Sequence, residues 1–165
     1  MKKCNTELMK DLKAIKELIV SAIEWEQRNS TMTYGEGDRE TIPNEYDYAR
    51  STQELASLQQ QERTIKARLA VSNATTKVDG YDMTIAEALV YLAQLSQNKD
   101  RLVRLANREK LVRGNTSRYS SNTEYTKACY DIVKAKEDLA KLNQTIAHLQ
   151  MAIDRTNLTN LIAID

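Results

Sequence analysis

Asp138–Asn160 reads DLAKLNQTIAHLQMAIDRTNLTN, and Glu54–Thr76 reads ELASLQQQERTIKARLAVSNATT. The two stretches carry one pattern displaced by 84 positions. Leu55, Ala56, Leu58, Gln60, Asn73 and Thr75 recur as Leu139, Ala140, Leu142, Gln144, Asn157 and Thr159. Upstream, Tyr46-Asp47 recurs as Tyr130-Asp131, and Glu40 as Glu124. A fixed displacement of this kind points to one structural unit used twice.

The later copy shows what the unit is. Ile132, Ala135, Leu139, Leu142, Ile146, Leu149 and Ile153 alternate steps of three and four. That spacing lays one apolar seam along a helix, near the 3.5-residue repeat of a left-handed bundle. The earlier copy repeats the seam as Tyr48, Ser51, Leu55, Leu58, Glu62, Ile65 and Leu69, with a charge at Glu62. A third seam runs through about 6–29 as Leu8, Leu12, Ile15, Ile19, Ala22 and Glu26. A fourth runs through Ile85, Ala88, Leu92, Leu95, Leu102 and Ala106, broken by the polar run Gln97–Asp100.

Helix breakers respect these seams. All four glycines and the single proline fall within about 30–45, 72–84 and 114–124. Four stretches free of breakers remain, and each would make a helix on the order of 35 Å long. An isolated amphipathic helix has nowhere to bury its seam, so partners must supply the packing. The predicted fold is therefore mainly α, a single domain over 1–165. It holds two long antiparallel helical hairpins, 6–71 and 85–160, from an internal duplication, forming a four-helix bundle or coiled coil. Thr84 reads as an N-cap with Glu87 closing a capping box. Alternation around Gly35 and Gly37 in 31–46, and again in Ser117–Tyr125, predicts short β-hairpin tips.

Composition narrows the function classes. Apolar residues at 41% and charged residues at 28% are those of a water-soluble globular or coiled-coil protein. A net charge of +1 gives no global field toward nucleic acid or an anionic membrane. No apolar run is long enough for a spanning helix. Met1–Glu7 lacks the apolar block of a secretory signal, so a cytoplasmic protein is expected. Cys4 falls at the base of the hairpins and Cys129 near the tips. About a helix length would separate them, beyond the ~7 Å that a disulfide spans, and no intrachain bridge is predicted.

No catalytic constellation is legible. The one histidine, His148, lies beside the seam between Ile146 and Leu149 and reads as a surface residue. Metal sites in helix bundles need inward carboxylates with Glu-x-x-His pairs, which are absent from the sequence. Nucleotide glycine motifs and Cys-x-x-Cys pairs are also absent. No cofactor, no metal and no enzymatic activity are expected.

Three sets of polar residues remain as candidates. Arg101, Arg104, Arg108, Arg113 and Arg118 form a basic stripe, with Arg101, Arg104 and Arg108 on one helical face. It reads as a solvated face, a contact with the acidic first tip, or a site for an external anion. The acidic tip comprises Glu36, Asp38, Glu40 and Glu45 beside Asp47. Interleaved aromatics, which would favour single-stranded nucleic acid, are missing from the stripe, and no nucleic-acid partner is expected. The repeated Tyr46-Asp47 and Tyr130-Asp131 read as aromatic staples with an Asp at each helix N-terminus, or as a small-ligand or cation site. Asn73 and Asn157 read as C-caps of the repeated helices, with a binding role as the alternative.

Asn73-Ala-Thr-Thr76, Asp79-Gly80, Thr84-Ile-Ala-Glu-Ala-Leu89, Arg118-Tyr119-Ser120 and Asn157-Leu-Thr-Asn160 together resemble the septicolysin-like family of small bacterial proteins. The resemblance covers about 65–165. It implies a bacterial origin and a duplicated helical architecture, and the family's name implies cytolysis. From the residues, the expected function is a non-enzymatic scaffold or binding module that forms a homo-oligomer, with a further protein partner open. The polar gaps in the seams motivate that reading. The alternative is a membrane-active, cytolysin-like protein. The seams look narrow for helices lying on a bilayer, so a membrane partner is not favoured.

Overall fold

The computed structural model describes residues 2–37, 46–114 and 124–163. The chain is mainly α-helical with small antiparallel sheets. The elements run β1 (Lys2–Cys4), α1 (Asn5–Asn29), α2 (Tyr48–Thr75), α3 (Ile85–Ala106), β2 (Leu111–Arg113), β3 (Tyr125–Lys127), α4 (Ile132–Thr159) and β4 (Leu161–Ala163). No described helix is long and apolar enough to cross a membrane. The chain divides into two compact units, residues 1–76 with 157–165, and residues 77–156.

In the first unit α1 and α2 run antiparallel. Asn5 at the start of α1 meets Ser72 at the end of α2, while Glu26 near the end of α1 meets Tyr46 just before α2. The seam residues Leu8 and Ile15 are buried. Leu12, Ile19, Leu55, Leu58, Ile65 and Leu69 are half-buried. Glu62 occupies its seam position by pairing with Lys66 at 2.7 Å, and that partner holds its carboxyl below the ordinary glutamate range. At the base β1 pairs antiparallel with β4, Cys4 lying opposite Leu161. This sheet was not legible in the sequence. Two three-residue strands from opposite ends of the chain carry no local periodicity.

The second unit holds the densest core. Ile85, Ala88 and Leu95 of α3 pack with Ile146, Leu149 and Ile153 of α4, and Val78 from the preceding segment closes the cluster. The α3 and α4 members are seam positions read from the sequence; Val78 is not. The polar run Gln97–Asp100 is exposed within a continuous α3, and the seam resumes at the buried Leu102 and Ala106. Lys77 and Thr84 form an antiparallel bridge. Between them the Tyr81 amide donates to the Val78 carbonyl at 3.0 Å. Gly80 has φ +77°, while among the described residues no non-glycine residue has positive φ. Positive φ at the third position alone makes a type II turn, and glycine is the residue that turn favours.

Each helix N-terminus is capped in the manner its sequence allows. Thr84 and Glu87 form a capping box, with Thr84 Oγ1 accepting from the Glu87 amide at 3.2 Å and the Glu87 carboxylate accepting from the Thr84 amide at 2.6 Å. At α1 the Glu7 carboxylate accepts from the Cys4 amide at 2.8 Å. Asp47 accepts from the Arg50 amide at 3.1 Å, and Asp131 from the Val133 and Lys134 amides at 2.8 and 3.2 Å. These contacts satisfy amides that the first helical turn leaves open.

The tips differ from expectation. The second tip has a two-stranded ribbon, but its register pairs Leu111–Arg113 with Tyr125–Lys127. Tyr125 belongs to it, and Ser117 lies outside the described residues. In the first tip 31–35 have no regular structure and 36–37 form a turn. The remainder of that tip lies outside the described residues.

Candidate functional site

The two Tyr-Asp pairs do matching work at the start of α2 and of α4. Asp47 and Asp131 cap their helices. Tyr46 donates its hydroxyl to the Glu26 carboxylate at 2.5 Å, and Tyr130 donates to the Leu105 carbonyl at 2.7 Å. Each tyrosine thus ties the second helix of its unit to the end of the first. The Glu26 carboxylate raises the Tyr46 phenol above its ordinary value of 10.0. Trp25 lies 6.0 Å from the Tyr46 ring, tilted by 39°. Beside it Asp47, Arg50, Ser51 and Glu54 line a cleft of about 510 Å³. Arg50 is already paired with Glu54 at 3.0 Å, so the cleft holds a balanced ion pair.

The basic stripe points to solvent. Arg101, Arg104, Arg108 and Arg113 are all exposed. Arg101 bonds to Asn98 at 2.9 Å on its own helix. Arg108 lines a cleft of about 610 Å³ with Lys110, Tyr130 and Asp131. There the Asp131 carboxylate caps α4 and offsets part of the positive charge. Arg118 lies outside the described residues, as do Asp38, Glu40 and Glu45 of the acidic tip, and Glu36 is exposed. His148 is exposed. Both cysteines are free, Cys4 buried and Cys129 exposed. Among the described residues no group of three or more His, Cys, Asp or Glu side chains could hold a metal ion.

Asn73 and Asn157 do not cap their helices. Both lie within the last turn, and neither has the left-handed backbone of a C-cap asparagine. Asn157 is used differently, accepting from the Asn5 amide group at 2.9 Å. That bond opens a buried polar network at the base of the first unit. Ser72 donates to the Asn5 side-chain oxygen at 2.9 Å. Asn160 donates to Ser72 Oγ at 2.9 Å and to Thr76 Oγ1 at 3.0 Å. No buried side-chain polar atom among the described residues lacks a partner. Amides and hydroxyls of this kind fix geometry, and the network holds no acid or base that would activate its hydroxyls.

A groove of about 430 Å³ adjoins this network. Arg68, Val71 and Thr75 of α2 form one wall, and Asn160, Leu161 and Ile162 the other. Val71 and Leu161 are 64% and 60% exposed. Arg68 is half-buried and has no ion pair or hydrogen bond among the described residues. The sequence signal for this region was present. Asn5 lies one step before Leu8 and Ser72 one step after Leu69, so both extend their seams with polar residues.

Comparison with known proteins bears on the fold alone. No family model matches the chain, and no curated protein matches it. Its structure is similar to a crystal structure described as a functionally unknown conserved protein from Corynebacterium diphtheriae. The TM-score is 0.66 at 15% identity, over 99% of this chain and 100% of that one.

Proposed function

We propose that the chain is a non-enzymatic helical scaffold, built from one hairpin design used twice, that self-associates through its first unit. Apolar surface left in water on α1 carries this reading. At 100° per residue, Met9, Val20 and Ile23 flank the α1 seam on one side, and Leu18 and Trp25 flank it on the other. All five are exposed, Leu18 and Val20 at 54% and 55%. Apolar side chains therefore stand in water on both flanks of the seam shared with α2, and further helical surface would cover them.

The duplication is supported by the base as well as by the helices. Leu161 follows α4 as Lys77 follows α2, 84 positions apart, and each pairs with the residue before a capped helix. Those residues, Cys4 and Thr84, are both followed three positions later by a capping glutamate.

Trp25 is the single tryptophan and reports on this face directly. Self-association predicts that acrylamide quenching of its fluorescence falls as protein concentration rises. Quenching that stays constant from micromolar to millimolar protein would contradict it. Dye release from anionic or neutral vesicles at the same concentrations would favour a membrane-active protein instead.

A further inference from the structure

We infer that the β2–β3 ribbon is a docking face for the acidic segment 36–47 of a second copy of the chain. All six residues of the ribbon are exposed, Leu111 and Tyr125 at 56% and 60%. A two-stranded ribbon with both faces in water is marginally stable by itself. Its register sets Leu111 opposite Lys127 and Arg113 opposite Tyr125. Directly opposed residues share a face, so two cations, one ring and one aliphatic side chain stand together there. Arg108 and Lys110, just before β2, are exposed as well. Arg108, Lys110 and Lys127 have no ion pair among the described residues.

Charge identifies what covers this face. Residues 108–127 carry five cations against Glu109 and Glu124, while 36–47 carry five carboxylates against Arg39. The chain as a whole is nearly balanced at +1, so opposite charge is gathered into these two stretches. A second ribbon is a poor partner, since Arg113 and Lys127 would meet the same cations. The acidic segment supplies the complement. It also carries Ile42 and Pro43, apolar groups suited to Leu111 and Tyr125. Pro43 has no N–H to lend to a strand ladder, so the segment meets the face of the ribbon and does not extend its edge. Exposed ion pairs are weak and screened by salt, so this contact holds two copies by itself only at low ionic strength. It does not rest on the apolar surface of α1.

The test uses the full chain with Leu18→Ser and Val20→Ser, which silence the α1 face without changing its charge. Sedimentation at about 10 mM salt, where charges are felt across ~30 Å, is expected to show a mass above one chain. The mass should return to one chain at about 150 mM. Reversing the ribbon (Lys110→Glu, Arg113→Glu, Lys127→Glu) should weaken association roughly tenfold or more, and so should reversing the segment (Glu36→Lys, Asp38→Lys, Glu40→Lys, Glu45→Lys). Mixing the two reversed chains should restore it, because each then offers the charge the other needs. A single chain at low salt would overturn the proposal, as would association indifferent to the reversals or a mixture that does not recover. Should a reversed chain fail to fold, the peptide Glu36–Asp47 added to the unreversed chain decides. Release of the associated copies supports docking, and no release at millimolar peptide overturns it. A native chain that associates at about 10 mM salt but stays single at about 150 mM would refute the α1 reading and leave the ribbon contact standing.

Discussion

Ser72 Oγ donates to the Asn5 side-chain oxygen across 2.9 Å, joining residues 67 positions apart in the first unit. Asn5 is 1% exposed and Ser72 6%. The bond replaces an apolar contact where the α1 and α2 seams reach the base. Asn5→Ala strips Ser72 and Asn157 of this partner, and an unsatisfied buried group costs about 1–3 kcal/mol. Urea denaturation should show a loss of that size. An unchanged midpoint would show that the network relaxes around the gap.

Leu149 is the centre of the second unit's core and has no exposed surface. Leu149→Ala should destabilise the protein by about 2–5 kcal/mol, since both transfer energy and a cavity are lost. Met151, two residues on, is exposed, and Met151→Ala should stay within about 0.5 kcal/mol. Comparable losses from the two variants would contradict the assigned face of α4.

The backbone hydrogen bond from Thr84 holds the Glu87 carboxyl below its ordinary value of 4.5. A depressed carboxyl stabilises the fold above the unfolded value, and the contribution is lost as pH falls through the folded value. Thermal melts of the native chain should therefore fall away below about pH 4.5. Glu87→Gln keeps the capping box but removes the titration, so its melts should decline less over the same range. Identical acid profiles would assign the sensitivity elsewhere, Glu7 being the other depressed capping carboxyl.

Gly80 carries φ +77°, and a Cβ there would meet nothing within 4 Å. Gly80→Ala should thus cost only backbone strain, about 1–2 kcal/mol. Gly80→Asn should cost less, because asparagine tolerates that region. Calorimetry showing equal losses for the two would point to a steric cause that the structure does not contain.

The helices and the faces they bury were readable from the sequence. Ile85, Ala88, Leu95, Ile146, Leu149 and Ile153 follow a three–four spacing, and burial follows that spacing in α3 and α4. The capping box at Thr84 was readable for the same reason, because its chemistry is local. The base was harder to read. β1 and β4 pair residues separated by most of the chain, and Asn157 suggested a helix end when its side chain reaches Asn5 instead. Arg101 and Arg104 lie exposed on α3, but the helix ends at Ala106, so Arg108 falls beyond it and the three do not share one helical face.

Sedimentation equilibrium on the native chain tests the scaffold reading most directly. A monomer has a mass of 18.8 kDa. Self-association through α1 predicts an average mass that climbs toward a multiple of this value with concentration, and that returns to one chain when Leu18 and Val20 are both replaced by Glu. A single species of 18.8 kDa at every concentration up to the millimolar range would contradict it.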